Sequence, residues 1–182
     1  MNLSEENAMA DTQLVDKVLQ MLNEEKWTRT TLQNYSLSSL KELDLVIDEA
    51  EAAGLFDELH TICSEQLSHT KNSVIALYIA GMISLRKQPS DESYLSQLMD
   101  LFAEGKRGNI VEYICLRILD YGENKIALTR LAECYEGEEK AEQRFAVWER
   151  LVKIDYEEAD IVKLIAERKD RQGEREAAID YY

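Results

Sequence analysis

Apolar residues recur along most of this chain at the spacing of helical faces, and no stretch sustains the alternation of a strand. Over 12–24, Leu14, Val15, Val18, Leu19 and Leu22 fall on one face. A second amphipathic segment, 38–53, turns Leu40, Leu43, Ile47 and Ala50 inward, with Ser36 or Ser38 as N-cap and Gly54 as the stop. Between them, 27–35 is rich in β-branched threonine and reads as a turn or broken helix anchored by Trp27 and Leu32. From residue 55 the segments come in pairs. Residues 55–68 pair with 73–87, closed by Pro89, and 91–104 pair with 109–121, closed by Gly122. Residues 124–136 pair with 141–154, and 157–171 with a segment from 174 onward. Gly105, Gly108, Gly137 and Gly173 fall in the intervening turns. The pattern predicts an all-α chain of about nine or ten helices.

The pairs carry a register. Leu98, Ala132 and Ala166 recur every 34 residues (132 − 98 and 166 − 132). Seven positions beyond Leu98 lies Gly105; seven beyond Ala166 lies Gly173, then Ala178 and Tyr182. Helix pairs at this period, with these offsets, resemble the tetratricopeptide repeat. The pair 124–154 departs from the consensus: its turn glycine, Gly137, comes two positions early, and its second helix carries Ala141, Phe145 and Trp148. The resemblance implies a right-handed α-solenoid in which stacked hairpins complete one another's cores. The expected layout is a flexible N-terminus over 1–10, a helical cap over 11–54, and repeats at 55–90, 91–124, 125–156 and 157–182, the last truncated. Such an ending predicts a piece of a longer protein, with Ile165, Ala178 and Ile179 exposed. The aromatic residues of the repeats, Phe145 and Trp148 included, are expected to serve as packing.

In tetratricopeptide arrays the first helices of each pair line a concave groove. The matching positions here are Glu58, Thr61 and Glu65; Leu95, Met99 and Phe102; Thr129, Glu133 and Glu136; and Lys163, Glu167 and Asp170. The lysine, arginine and asparagine set that clamps a peptide carboxylate in the best-known version is missing; Arg130 and Lys163 are the basic residues nearby. The groove therefore reads as acidic, with one apolar step at Leu95, Met99 and Phe102. The expected partner is a basic protein surface or basic helix, with charge setting the on-rate and the apolar step the affinity; the alternative is an acidic solvated face with no ligand.

Charge narrows the classes of function. With 36 acidic and 21 basic residues the chain carries −15, which opposes direct contact with nucleic acid or an anionic membrane. The densest basic stretch, Arg168, Lys169, Arg171 and Arg175, is interleaved with Glu167, Asp170, Glu174 and Glu176 and reads as a solvated helix face. The acidic N-terminus has no apolar signal core, and no apolar run reaches the roughly 18 residues of a membrane span, so a cytoplasmic protein is expected. Cys63, Cys115 and Cys134 are odd in number and widely spaced, as reduced thiols would be. His60 and Cys63 lie three apart on one helix, with His69 beyond, but a closed zinc site needs four ligands and no second cluster exists. No phosphate loop, dinucleotide fingerprint, nucleophile elbow or calcium loop is present. A non-catalytic chain without cofactor or metal is expected.

Three segments carry a further resemblance: NEEKWTRTTLQNYS (23–36), LSHTKNSVIALYIAGMISL (67–85) and WERLVKIDYEEADIVKLIAE (148–167). They resemble the helical N-terminal extension fused, in some bacteria, to Gre-type transcript cleavage and elongation factors. Gre factors reach the RNA polymerase active site through a coiled coil with acidic tip residues; no such tip is matched here, so no functional residue carries over. The resemblance implies an accessory protein-binding module of a transcription factor, with RNA polymerase as a partner. A free-standing adaptor unrelated to transcription, and a homodimer joined through its last repeat, are the alternatives.

Overall fold

The computed structural model describes residues 3–27, 32–155 and 159–181. All regular structure among them is helical. Ten α-helices follow in order: α1 (Leu3–Trp27), α2 (Leu37–Ala53), α3 (Phe56–His69), α4 (Val74–Lys87), α5 (Ser93–Glu104), α6 (Gly108–Leu119), α7 (Lys125–Cys134), α8 (Ala141–Ile154), α9 (Ala159–Arg171) and α10 (Arg175–Ile179). Two short 3₁₀ turns lie at Leu32–Asn34 and Glu138–Lys140. The chain forms two compact units, residues 1–110 and 111–182.

The first unit is built around α4. Every residue from Val74 to Leu85 is buried, and α1, α2, α3 and α5 all pack against it. A helix apolar on every side must be enclosed, which explains why Val74–Leu85 is the most hydrophobic run in the chain. Gly81 permits the closest approach: a Cβ there would lie 2.6 Å from Leu95 Cγ and 3.2 Å from its backbone nitrogen. Several polar side chains of α4 are matched. Tyr78 donates its hydroxyl to Asp44 at 2.8 Å, and Ser84 Oγ lies 3.2 Å from His60 Nε2. Arg86 is paired with Asp48 and Glu51.

The buried start of α4 is held by a side chain from a distant part of the sequence. Ser73 caps it conventionally, its Oγ accepting from Ala76 N at 3.2 Å. Glu25, itself buried, reaches in from α1 and accepts from Val74 N at 2.8 Å and Ile75 N at 3.3 Å. The Tyr35 hydroxyl donates to the same carboxylate at 2.5 Å, and so does Ser73 Oγ. A carboxylate at a helix N-terminus satisfies free N–H groups and meets the positive end of the helix dipole.

Sequence and structure agree closely at several helix ends. Ser36 caps α2 in a reciprocal arrangement with Ser39, and Gly54 ends that helix in a left-handed conformation (φ 73°). Helix α8 spans the expected 141–154. Helix α1 runs back to Leu3 and so includes most of the segment expected to be a flexible N-terminus. On α1, Leu14, Val18 and Leu22 are buried while Leu19 is exposed. The stretch after α1 is pinned at Leu32 and Tyr35, whose carbonyls accept from Arg107 Nη1 and Nη2 at 2.9 and 2.7 Å. The Trp27 side chain lies outside the described residues.

In the second unit, α7 packs on α8, α8 on α9, and α9 on α10. Leu128, Leu131, Tyr135, Val147, Leu151 and Val152 form its core with Ile165, Ala166 and Ala178. Asn124 caps α7 by accepting from Ala127 N at 2.9 Å. The three positions of the 34-residue register, Leu98, Ala132 and Ala166, are all buried. One expectation is corrected here. Ile165 and Ala178 are not exposed; their own hairpin covers them, and Ile179 alone of the three stands open, at 69% exposure.

Candidate functional site

The proposed groove positions separate into three environments. Leu95, Met99 and Phe102 are each 0% exposed. They are core residues of α5, facing the α4 side rather than solvent, and the expected apolar step is withdrawn. The physical reason is that α5 packs against α4, with Leu95 at Gly81, while Phe102 meets the Tyr35 ring edge-on at 6.4 Å. Glu58, Thr61 and Glu65 are exposed on α3. Glu65 borders a 610 Å³ depression floored by Leu19, Leu22 and Ile62 and rimmed by Lys26, Gln66 and His69.

Thr129 and Glu133 on α7 do come together with Glu136, two residues past the end of that helix. They line a 160 Å³ cleft whose other walls are Ala132, Arg144, Trp148, Leu151 and Ile161. The spacing 129, 132, 133, 136 is one face of a helix, and 144, 148, 151 is the facing stripe of α8. Ile161, from the first turn of α9, completes the slot. Lys163 and Asp170 are exposed on α9 and Glu167 is half-buried there; none of the three lines the cleft.

Trp148 is held by a stack of side chains. Its ring meets Phe145 edge-on at 5.0 Å. The Arg144 guanidinium lies 4.9 Å from the Trp148 ring centroid and that of Arg168 lies 3.9 Å from Phe145. Arg168 is also paired with Glu142. Each cation faces the negative face of an aromatic ring, and the i, i+3 and i, i+4 spacing of Arg144, Phe145 and Trp148 makes the arrangement local to α8. The tryptophan is half-buried, so part of its ring remains available to the cleft.

The charged groups of the cleft differ in whether they are satisfied. Glu133 is bridged to Arg130 at 3.0 Å. Glu136 is exposed and makes no ion pair among the described residues. Arg144 Nε is buried without a hydrogen-bond acceptor. Behind α7 the polar groups are closed on themselves: Tyr135 donates to Glu112 at 3.0 Å and Lys140 pairs with the same carboxylate at 3.1 Å. Burial, with the Glu112 hydrogen bond, pushes the Tyr135 hydroxyl up to about 12. Burial also raises the thiols of Cys115 and Cys134. His60 and Cys63 serve α3–α4 packing, with Cys63 pushed up to about 12 by burial and the nearby Glu25. Among the described residues no three His, Cys, Asp or Glu side chains gather as metal ligands, and no described helix is long and apolar enough to cross a membrane.

The sequence signal for this cleft was half legible. The α7 residues followed from the repeat register. Arg144, Trp148, Leu151 and Ile161 did not, because an aromatic at helical spacing reads equally well as core.

No family model matches the chain. It is 48% identical over 151 residues, 83% of its length, to a protein of Treponema pallidum (strain Nichols) named "Putative GreA-associated domains protein". It is 34% identical over 158 residues, 87% of its length, to "Transcription elongation factor GreA" of Borreliella burgdorferi (strain ATCC 35210 / DSM 4680 / CIP 102532 / B31). The chain covers 23% of the first relative and 18% of the second. The chain is thus similar to a minor part of each relative's length.

Proposed function

We propose that this chain is a non-catalytic protein-interaction module of a Gre-type elongation factor, acting in the cytoplasm on RNA polymerase or on a protein bound to it. The observation that carries the reading is the likeness to two GreA-named proteins over more than four-fifths of the chain. The helix pairs support it from the physical side. Within the two units, α3 packs on α4, α4 on α5, α7 on α8, α8 on α9 and α9 on α10, the 34-residue positions are buried, and these features favour a tetratricopeptide-like α-solenoid, an architecture that presents surfaces. The net charge of −15 makes a basic protein face the preferred partner and disfavours direct contact with nucleic acid.

The test is capture of RNA polymerase from a lysate of the source bacterium by the longest natural chain that contains this segment. The same chain carrying Glu133→Lys and Glu136→Lys is the comparison. Polymerase subunits retained by the wild type and lost by the double variant support the reading. A wild-type chain that captures no polymerase at low salt, with the Gre portion present and competent in transcript cleavage, overturns it.

A further inference from the structure

The α7–α8–α9 cleft is an apolar slot with one charge of each sign at its edge that has no ion-pair partner among the described residues. Its space, 160 Å³, is about what a benzene-sized group fills. Ala132, Leu151, Trp148 and Ile161 supply the apolar walls, so a single large aliphatic or aromatic side chain fits and a second does not. Glu136 stands just past the end of α7 without a cationic partner among the described residues. On the α8 edge Arg144 has an aromatic neighbour but no carboxylate among the described residues, and its Nε lacks an acceptor there. A buried donor left without an acceptor is unfavourable, so the site gains when an acceptor arrives near it. Tryptophan and arginine are also the residue types that concentrate binding energy at the centres of interfaces.

We infer that this cleft takes one large apolar side chain from an extended or helical segment of the partner, next to a lysine or arginine that pairs with Glu136, while Arg144 takes a main-chain carbonyl of the same segment. The charge complementarity argues for this occupant. An acidic segment would meet Glu133 and Glu136 together, and Arg144, which has no carboxylate partner among the described residues, is drawn over the Trp148 ring. The inference rests on the protein-binding reading above and specifies its site and recognition chemistry.

The probes are three synthetic twelve-residue peptides of glycine and serine. Their centres are Lys-Leu-Lys, Lys-Ala-Lys and Glu-Leu-Glu. Each is titrated into the ¹⁵N-labelled chain while the Trp148 indole N–H and the α7–α9 amides are followed. The Lys-Leu-Lys peptide is expected to shift these signals saturably. Leucine-to-alanine replacement is expected to weaken binding at least tenfold, and the acidic peptide to bind at least tenfold more weakly. Glu136→Lys, at an exposed position that leaves the fold intact, should reverse the preference between the basic and acidic peptides. Trp148→Ala should abolish the difference between leucine and alanine centres.

Equal response to leucine and alanine centres, or no shift at Trp148 at millimolar peptide, overturns the inference. The polymerase capture assay separates the two claims. Capture that persists undiminished in Trp148→Ala and Glu136→Lys removes the cleft while leaving the module reading in place. Failure of wild-type capture removes the module reading whatever the peptides do.

Discussion

Replacing Glu25 should unlock the first unit from its centre. Four donors converge on this carboxylate: the Tyr35 and Ser73 hydroxyls and the Val74 and Ile75 amides. Hydrogen bonds to a charged group contribute about 1.5–3 kcal/mol each, and an orphaned buried donor costs about 1–3 kcal/mol. Simple addition overshoots, because the four share one partner and are not independent. The Ile75 bond is long at 3.3 Å, and the Ser73 hydroxyl can turn to a new acceptor. Removing the carboxylate with Glu25→Ala should therefore cost about 3–5 kcal/mol, the range for breaking a buried charged network. That is a large share of the roughly 5–15 kcal/mol that holds an ordinary domain together.

Glu25→Gln separates charge from geometry. Its carbonyl oxygen can still accept from Tyr35, Val74 and Ile75. Its amide would face Ser73 Oγ, which already accepts from Ala76 N. The expected loss is about 1–2 kcal/mol. Urea unfolding followed by circular dichroism reads both, with Glu42→Ala, at an exposed position on α2, as the control expected within about 0.5 kcal/mol of wild type. With a slope of about 2 kcal/mol/M the alanine variant should lower the midpoint by about 2 M. Native-state hydrogen exchange supplies the local reading: Val74 and Ile75 amides should lose protection in step with the global change. An alanine variant within about 0.5 kcal/mol of wild type, with those amides still protected, would refute the assignment of Glu25 as the clasp between α1 and α4.

Phe102→Ala and Leu95→Ala should each lower stability by about 2–5 kcal/mol in the same assay, because both side chains are fully buried; a near-neutral result would return them to an exposed groove. Gly81→Ala should cost about 1–3 kcal/mol and lower the melting temperature, since its Cβ would press on Leu95, a side chain with no solvent to move into; an unchanged melting temperature would show that α4 and α5 are not this close. Alkaline stability has a definite sign. Cys63 and Tyr135 are raised to about 12 from the usual 9.0 and 10.0, so the folded protein holds protons that the unfolded chain releases, and their contribution is intact below about pH 9 and lost as pH climbs toward 12. Urea midpoints measured from pH 8 to 11 should fall monotonically, with a shallower fall in Cys63→Ala; a flat profile would contradict the burial of these groups. Cys63 should also resist iodoacetamide at pH 8 until urea unfolds the first unit, because the thiolate is the reactive form.

What could be read from the chain was its local periodicity, and what escaped was every decision made across distance. The 3.6-residue spacing located the helices, and short-range chemistry placed the Ser36 cap and the Gly54 stop within their own turn. The misassignment of Leu95, Met99 and Phe102 has a different origin. The repeat register states which face of α5 corresponds to a groove, but burial depends on what lies opposite, and opposite α5 is the all-apolar α4. Glu25 is the sharper case. Nothing within several residues of it marks a cap, since the helix it serves begins about fifty positions later. In a chain with 36 acidic residues, one more glutamate on an amphipathic helix carries no signal; only its burial beside the free N–H groups of α4 distinguishes it. The same logic applies to the cleft. Register alone brings Thr129, Glu133 and Glu136 onto one face, yet acidic residues on a solvated face are the rule in this protein. It is the juxtaposition with Trp148 and Arg144, both supplied by the next helix, that sets this acidic face apart from the others and underlies the proposed side-chain site.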